Sequence, residues 1–144
     1  PICLAALSCD SEYILIHDGA RPLITKNLIR NAIKEAQDYK SAVLAVPVKD
    51  TIKVVDKDGY VVNTPTRASL RAVQTPQVFE RELICSAYQW AQENNFTGTD
   101  DASLVEAMGE KVLLVEGSYE NIKITTPEDL HQAEEIIRRR SECE

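Results

Sequence analysis

A carboxylate and a guanidinium, Asp18 and Arg21, stand close together in the stretch Tyr13 to Pro22, YILIHDGARP. Just before them, Tyr13-Ile14-Leu15-Ile16 is an apolar run without alternation, the pattern of a strand buried on both faces of a sheet. Ligands of open α/β sheets collect beyond the carboxyl ends of the strands, so both charged groups stand where binding chemistry is expected. Gly19 admits backbone conformations closed to other residues and lets a ligand come close. Pro22 biases Arg21 towards an extended conformation and restricts the direction in which the chain leaves the strand. The competing account is a strand followed by a polar turn with a surface ion pair. His17 offers a general base, but at the edge of a buried strand it reads as a hydrogen-bonded core histidine.

The elements that must position these groups follow from periodicity and punctuation. Thr25 can cap a helix over Lys26–Tyr39, whose Leu28, Ile29, Ala32, Ile33 and Ala36 form one stripe at the helical period. Ala42–Val46 is a second buried strand ended by Pro47, and strand, helix, strand predicts a parallel βαβ pair. Between Asp50 and Asn63 the chain alternates, with turn chemistry at Asp56-Lys57-Asp58-Gly59, so a hairpin with one wet face is expected. Such an arm packs on something else, and a second subunit is the natural candidate. Thr64 to Phe79 carries Arg67, Arg71 and the peptide Gln74-Thr75-Pro76-Gln77, with no element assigned. Helices are expected over 80–95 and 101–108, the second capped by Asp100 and stopped by Gly109. Strands are expected at Lys111–Val115 and Ile122–Thr125. A closing helix starts at Thr126-Pro127, with Glu128 and Asp129 in the first turn, and runs to about Arg140.

At 144 residues the chain is long enough for one domain with a real core. Its formal charge of −7, from 23 acidic and 16 basic residues, argues against nucleic acid or an anionic membrane as a general partner. A phosphorylated small molecule would instead need a local cluster of Arg and Lys. Cys3, Cys9, Cys85 and Cys143 show no C-x-x-C spacing, and His17 and His131 lie in unrelated contexts, so reduced scattered thiols are expected rather than a zinc site. No apolar run approaches the roughly 20 residues of a membrane span, and no basic secretory n-region opens the chain. A cytoplasmic location is expected, or a plastid one for a plant or algal source. A strand as buried as Tyr13–Ile16 usually has neighbours contributed earlier, so the chain is expected to begin within a larger protein.

Five peptides in register then fall together: IHDGARP at 16–22, AVPVKDTIK at 45–53, QTPQVF at 74–79, TDDASLVE at 99–106 and NIKITTPEDL at 121–130. Together they resemble the 2-C-methyl-D-erythritol 4-phosphate cytidylyltransferases over about Tyr13 to Ile137. The resemblance implies an α/β fold with a Rossmann-like nucleotidyltransferase core, three-layer α/β/α with a mostly parallel sheet. It further implies a projecting arm over 50–74, a homodimer, and a single domain over 1–144 that is the carboxyl-terminal portion of a cytidylyltransferase. It implies transfer of CMP from CTP to a sugar-alcohol phosphate with release of pyrophosphate, using a magnesium ion (Mg2+). Residue by residue, it assigns catalytic roles to Asp18, Arg21 and Lys123, with Asp18 also a candidate metal ligand. Thr51, Arg67 and Thr75 become substrate-binding residues, Thr51 and Arg67 reaching the neighbouring subunit's site. Gly19 and Ala20 are assigned to cofactor binding. The family's Gly-rich phosphate loop, whose N–H groups cradle the CTP phosphates, has no counterpart among the singly scattered glycines, so the 144-residue chain alone is expected to be inactive.

The implied chemistry is an in-line attack by one anion on another, which positioning and charge stabilisation can catalyse without a covalent intermediate. Arg67 and Lys123 suit the acceptor phosphate, and Thr75 can add a hydrogen bond. Asp18 accepts from acceptor hydroxyls or assists the magnesium ion, and Arg21 orients both. Arg71 reads as structural and Asp100 as a cap. Two other readings stay open. The acceptor can be another polyol phosphate such as ribitol 5-phosphate, or the chain can be a non-catalytic dimerising fragment.

Overall fold

The computed structural model describes residues 10–142. The lead-in expected over 1–12 falls largely outside them, as do Cys3, Cys9 and Cys143. In chain order the elements are β1 (Tyr13–Ile16), α1 (Lys26–Tyr39), β2 (Ser41–Pro47), β3 (Val54–Val55), β4 (Val61–Asn63), a 3-10 turn (Arg67–Ser69), β5 (Arg71–Glu80), α2 (Arg81–Glu93), α3 (Asp101–Ala107), β6 (Leu114–Glu116) and α4 (Pro127–Ser141).

A four-stranded sheet has the order β1-β5-β2-β6. Side chains alternate across β2 and serve two helical layers. Val43 joins Phe79 of β5 against Ile84, Ala87 and Ala91 of α2 and Val105 of α3. Ala42 and Leu44 join Val78 of β5 against Ala32 and Ala36 of α1 on the opposite face. The result is the expected three-layer α/β/α arrangement. Nearly all of β2 is buried, which accounts for its unbroken apolar sequence. Helix α4 packs through Ala133 and Ile136 on Leu23, with Ile122 and Ile124 alongside.

The sheet corrects several expectations. Strands β1 and β2 run in the same direction but are not paired, because β5 lies between them and is antiparallel to both. The βαβ pattern specifies relative direction, not adjacency. The only parallel ladder among the described residues joins β2 to β6, from Val43 opposite Leu114 to Ala45 opposite Glu116. The sequence marks no element over β5, since Pro76 and two glutamines interrupt its apolar run. The ladder accommodates them with a bulge: Val43 faces Gln77 and Ala45 faces Val73, so Gln74, Thr75 and Pro76 swell out of register. Nor is β1 buried on both faces, for Leu15 is 39% exposed. Segment 122–125 is not a strand. Its alternation is real, but Ile122 and Ile124 pack on α4's cluster rather than entering a sheet, and its link to the β1 exit is Ile124 N–H donating to Ala20 O at 2.8 Å. Strand β6 begins at Leu114, later than expected.

Helix boundaries follow the caps. Thr25 Oγ1 accepts from Leu28 N, and Asp100 and Thr126 each form a reciprocal capping box. The α4 cap bonds lie on the carboxylate of Asp129, and backbone N–H donation from Thr125 and then Thr126 holds it below the ordinary value of 3.8. The arm is a hairpin in which Val54 faces Asn63 and Val55 faces Val61, turning at Gly59 with φ +87°. Ile52, Val54, Val55, Tyr60, Val61 and Val62 on it are all exposed.

Candidate active site

The exit of β1, the β5 bulge and the segment after β6 line one side of a cleft of about 630 Å³, and the start of α3 closes the other. The bulge supplies Thr75, whose Oγ1 accepts from Asp18 N–H at 2.9 Å and lies 3.0 Å from His17 Nδ1. His17 Nε2 lies 3.0 Å from Arg21 O, which can only accept, so Nε2 carries the proton. In the neutral ring Nδ1 then accepts from the Thr75 hydroxyl. Both ring nitrogens are thereby engaged, and His17 braces the loop instead of acting as a base.

Arg21 closes the turn with N–H donation to Asp18 O at 3.0 Å. Its side chain, 13% exposed, donates from Nη1 to the main-chain O of Asn121 at 2.7 Å, and its Nε lies 3.5 Å from Asp18 Oδ2. Lys123 Nζ approaches the same carboxylate oxygen at 3.1 Å, with its own side chain 48% exposed. One carboxylate thus sits between two cations. At this exposure the Asp18–Lys123 pair is worth about 0–1 kcal/mol to stability, so little opposes the lysine turning to a ligand anion. Arg21 Nε and Asn121 Oδ1 are buried side-chain atoms without a hydrogen-bond partner among the described residues.

The cleft therefore brings together Asp18, Arg21, Thr75 and Lys123. Thr51 and Arg67 lie elsewhere, on the exposed base of the arm, where Arg67 Nη1 donates to Lys49 O at 3.0 Å. Gly19 needs none of glycine's conformational freedom, because its φ is not positive and an added Cβ would meet nothing within 4 Å. Ala20 contributes its carbonyl to Ile124 N–H. Arg71 is bound by the carbonyls of Ala68 and Leu70, a structural role. Asp100 caps α3 and accepts from Gln77 Nε2 at 2.7 Å. Sequence reasoning gave no role to Gln74, Gln77 or Asn121, all buried here. Two glutamines inside a strand were the available signal, since buried amides require partners.

Residues 2–139 match the model of the family 2-C-methyl-D-erythritol 4-phosphate cytidylyltransferase. The chain belongs to this cytidylyltransferase family. It is 58% identical over 136 residues to the 2-C-methyl-D-erythritol 4-phosphate cytidylyltransferase of Caldanaerobacter subterraneus subsp. tengcongensis, covering 94% of this chain and 60% of the relative. The enzyme of the same name from Desulforamulus reducens is 56% identical over 138 residues, covering 96% of this chain and 59% of the relative. Two solved structures share the fold. The Thermus thermophilus cytidylyltransferase superposes with a TM-score of 0.85 at 35% identity, covering 95% of this chain and 67% of that one. The 4-diphosphocytidyl-2C-methyl-D-erythritol synthase of Anaerococcus prevotii gives 0.87 at 38% identity, with 95% and 62% covered. The core is thus the Rossmann-like core of the cytidylyltransferases. The chain spans about 60% of the length of the curated relatives it matches.

Proposed function

We propose that the protein transfers the cytidylyl group of CTP to the phosphate of 2-C-methyl-D-erythritol 4-phosphate and releases pyrophosphate. An acceptor phosphate oxygen attacks the α-phosphorus, one P–O bond forms, and the bond to the β-phosphate bridging oxygen breaks with its electron pair leaving on pyrophosphate. The observation that carries the reading is the convergence of Arg21 and Lys123 on Asp18, beside Thr75, in one cleft of a chain of this family. Lys123, half exposed and weakly held, is suited to grip the acceptor phosphate, where charge-assisted hydrogen bonds contribute about 1.5–3 kcal/mol each. Arg21 is anchored at Asn121 O and orients Asp18, which accepts from acceptor hydroxyls. Thr75 ties Asp18's backbone to the rigid sheet.

The cleft's charge supports a homodimer with a shared site. Within one chain two cations, Arg21 and Lys123, face four acids, Asp18, Asp100, Asp101 and Glu106. A phosphate dianion needs more positive charge than that. Arg67 on the apolar, exposed arm of a second copy would supply it, with Thr51 beside it, in a closed two-fold pair. Gly19 and Ala20 stay proposed for cofactor binding, although neither lines the cleft.

A magnesium ion does not fit at Asp18. Its Oδ2 already lies between Lys123 and Arg21, and no group of three or more His, Cys, Asp or Glu is arranged to hold a metal among the described residues. An ion serving this reaction would be held by the nucleotide's phosphates. We place the activity in the cytoplasm, in keeping with the bacterial relatives above and with the absence of a membrane-length apolar helix among the described residues.

The test supplies CTP with 2-C-methyl-D-erythritol 4-phosphate, or with ribitol 5-phosphate, to the full-length protein and follows pyrophosphate release and product mass. A CDP-alcohol formed with the first acceptor in preference to the second is expected. No pyrophosphate, or equal turnover of both, would overturn the assignment.

A further inference from the structure

Asn121 is completely buried, yet its main-chain oxygen holds Arg21 and the lysine of the site stands two residues beyond it. Its Nδ2 donates to Thr75 O at 2.8 Å and lies 3.4 Å from Gln74 Oε1. Gln74, itself 7% exposed, returns the contact: its Nε2 donates to Ser118 O at 2.8 Å and its Oε1 accepts from Ser118 N–H at 3.3 Å. Two buried amides therefore fasten residues 118–121 to the β5 bulge. The neighbouring residue has been shaped to permit it. A Cβ on Gly117 would lie 2.5 Å from Gln74 Oε1 and 3.2 Å from Ala45 O, so any larger residue there would displace the Gln74 amide from its place. Gly117 N–H meanwhile donates to Ala45 O at 2.9 Å, and Ile124 N–H fastens the far end to Ala20 O.

From this network we infer that Asn121, with Gln74 as its partner, is a positioning residue that sets where Arg21 and Lys123 stand towards the acceptor phosphate. The inference rests on the proposed function for the identity of that ligand. A buried polar pair contributes little net stability compared with well-packed apolar side chains, and Asn121 Oδ1 is left without a partner among the described residues. The bonds from Asn121 Nδ2 and from both ends of the Gln74 amide nonetheless run to fixed backbone groups and favour one arrangement of the segment. That arrangement joins β5 and the β1 exit. Both of the cleft's cations hang from it: Arg21 through the carbonyl of Asn121, and Lys123 through two residues of backbone. Neither amide needs to touch the substrate to matter. A displacement of about 1 Å in such groups can lower rates on the order of a hundredfold.

The test uses Asn121→Ala and the isosteric Gln74→Glu, which keeps the acceptor oxygen and loses the donor to Ser118, each in the full-length protein. The first readout needs no substrate. Lys123 is acylated with an amine reagent and its rate is measured by peptide mass against Lys57 on the arm. Loosening the segment frees Nζ from Asp18 and should raise the Lys123 rate about threefold or more. Steady-state kinetics form the second readout. The KM for the acceptor should rise roughly tenfold to a hundredfold while the KM for CTP changes less than about twofold. In a Lys123→Ala background the further loss from Asn121→Ala should shrink to a few-fold, since one of the two positioned cations is gone and only Arg21 is left to be displaced. An unchanged Lys123 acylation rate overturns the inference whatever the kinetics show. So does an equal loss towards CTP and acceptor, which a merely structural role would give. Failure of the wild-type protein to use the acceptor at all would fall on the proposed function, and the acylation rates would still decide the positioning role. If Asn121→Ala does not fold cooperatively, Gln74→Glu carries both readouts.

Discussion

Replacing Arg21 by lysine keeps the charge and removes the planar fork, and the structure says what that must do. The guanidinium serves two groups at once. Nη1 donates to Asn121 O at 2.7 Å, and Nε faces Asp18 Oδ2 at 3.5 Å. A lysine side chain ends one bond short of Nη1, so its single ammonium stays beside Asp18 and gives up the Asn121 carbonyl. The side chain is 13% exposed, so the bond to Asn121 O is little screened, and losing a charged hydrogen bond of this kind costs about 1.5–3 kcal/mol. The Asp18 contact is longer and its carboxylate is 34% exposed, which limits its share to about 0–1 kcal/mol. The first loss dominates, and an ammonium that follows Asp18 leaves a buried carbonyl without its donor. Urea unfolding of Arg21→Lys should therefore show the midpoint falling at an unchanged slope, equivalent to about 1.5–3 kcal/mol. Acceptor kcat/KM should fall at least tenfold, because a factor of ten corresponds to about 1.4 kcal/mol and the same fork orients Asp18. A variant within about 0.5 kcal/mol of the parent with unchanged kcat/KM would show that Arg21 is an ordinary surface ion-pair partner.

Two further outcomes follow from the arm and from α4. If Arg67 acts in the partner's site, Arg67→Ala and Lys123→Ala, made separately in the full-length protein and mixed with verified subunit exchange, should recover roughly a quarter of sites, since about half the dimers are mixed and one site in each is intact; activity that stays at the level of the separate mutants would rule out the shared site. Asp129 is held below the ordinary carboxylate value by the Thr125 and Thr126 amides, so its stabilisation of α4 is complete above about pH 5 and is lost as pH falls through 3.8 and below; Asp129→Asn should lower Tm at neutral pH, with the difference from the parent closing in acid, and a difference constant across that range would refute the assignment.

Where the chain carries local punctuation, the sequence was a sufficient guide. Helix α1 falls on Lys26–Tyr39 as read, because Thr25 is a cap and its stripe has an unambiguous period. The arm and the Thr126-Pro127 helix start are legible for the same reason. Adjacency in the sheet was not legible, because nothing in β1 or β2 says which partner will lie between them. Strand β5 was hidden by its own function: the proline and amides that break its apolar run are the residues its bulge turns towards the site. Segment 122–125 erred the other way, with a strand's alternation but a helix for its neighbour. Asp18, Arg21 and Thr75 could be singled out, with Lys123, because they fall in peptides whose order and spacing resemble those of one family. Asn121 could not, since an amide shows its worth only through its contacts, and Gln74 offered only the weak signal of a glutamine in a largely apolar stretch.

The bulge in β5 explains how one strand serves as both core and site. Below it, Val78 and Phe79 are fully buried and face opposite helical layers. Truncating Phe79 would cost about 3–5 kcal/mol, so this half is held rigidly. Above it a regular strand would have continued the alternation and placed Thr75 in the ladder. The pairing instead skips from Gln77 to Val73 across Val43 and Ala45, and Gln74 and Thr75 are released to bond outside the sheet. Thr75 takes the β1 exit through Asp18 N–H and His17, and Gln74 takes the segment after β6 through Ser118. Two chain segments far apart in sequence, one carrying Asp18 and Arg21 and the other Lys123, are thus both tied to one irregularity in the most buried strand pair. The charged groups are weakly bound to each other but firmly bound to the sheet. The proposed transfer between two anions needs that combination, because the cations must be free to change partners and the backbone must not move when they do.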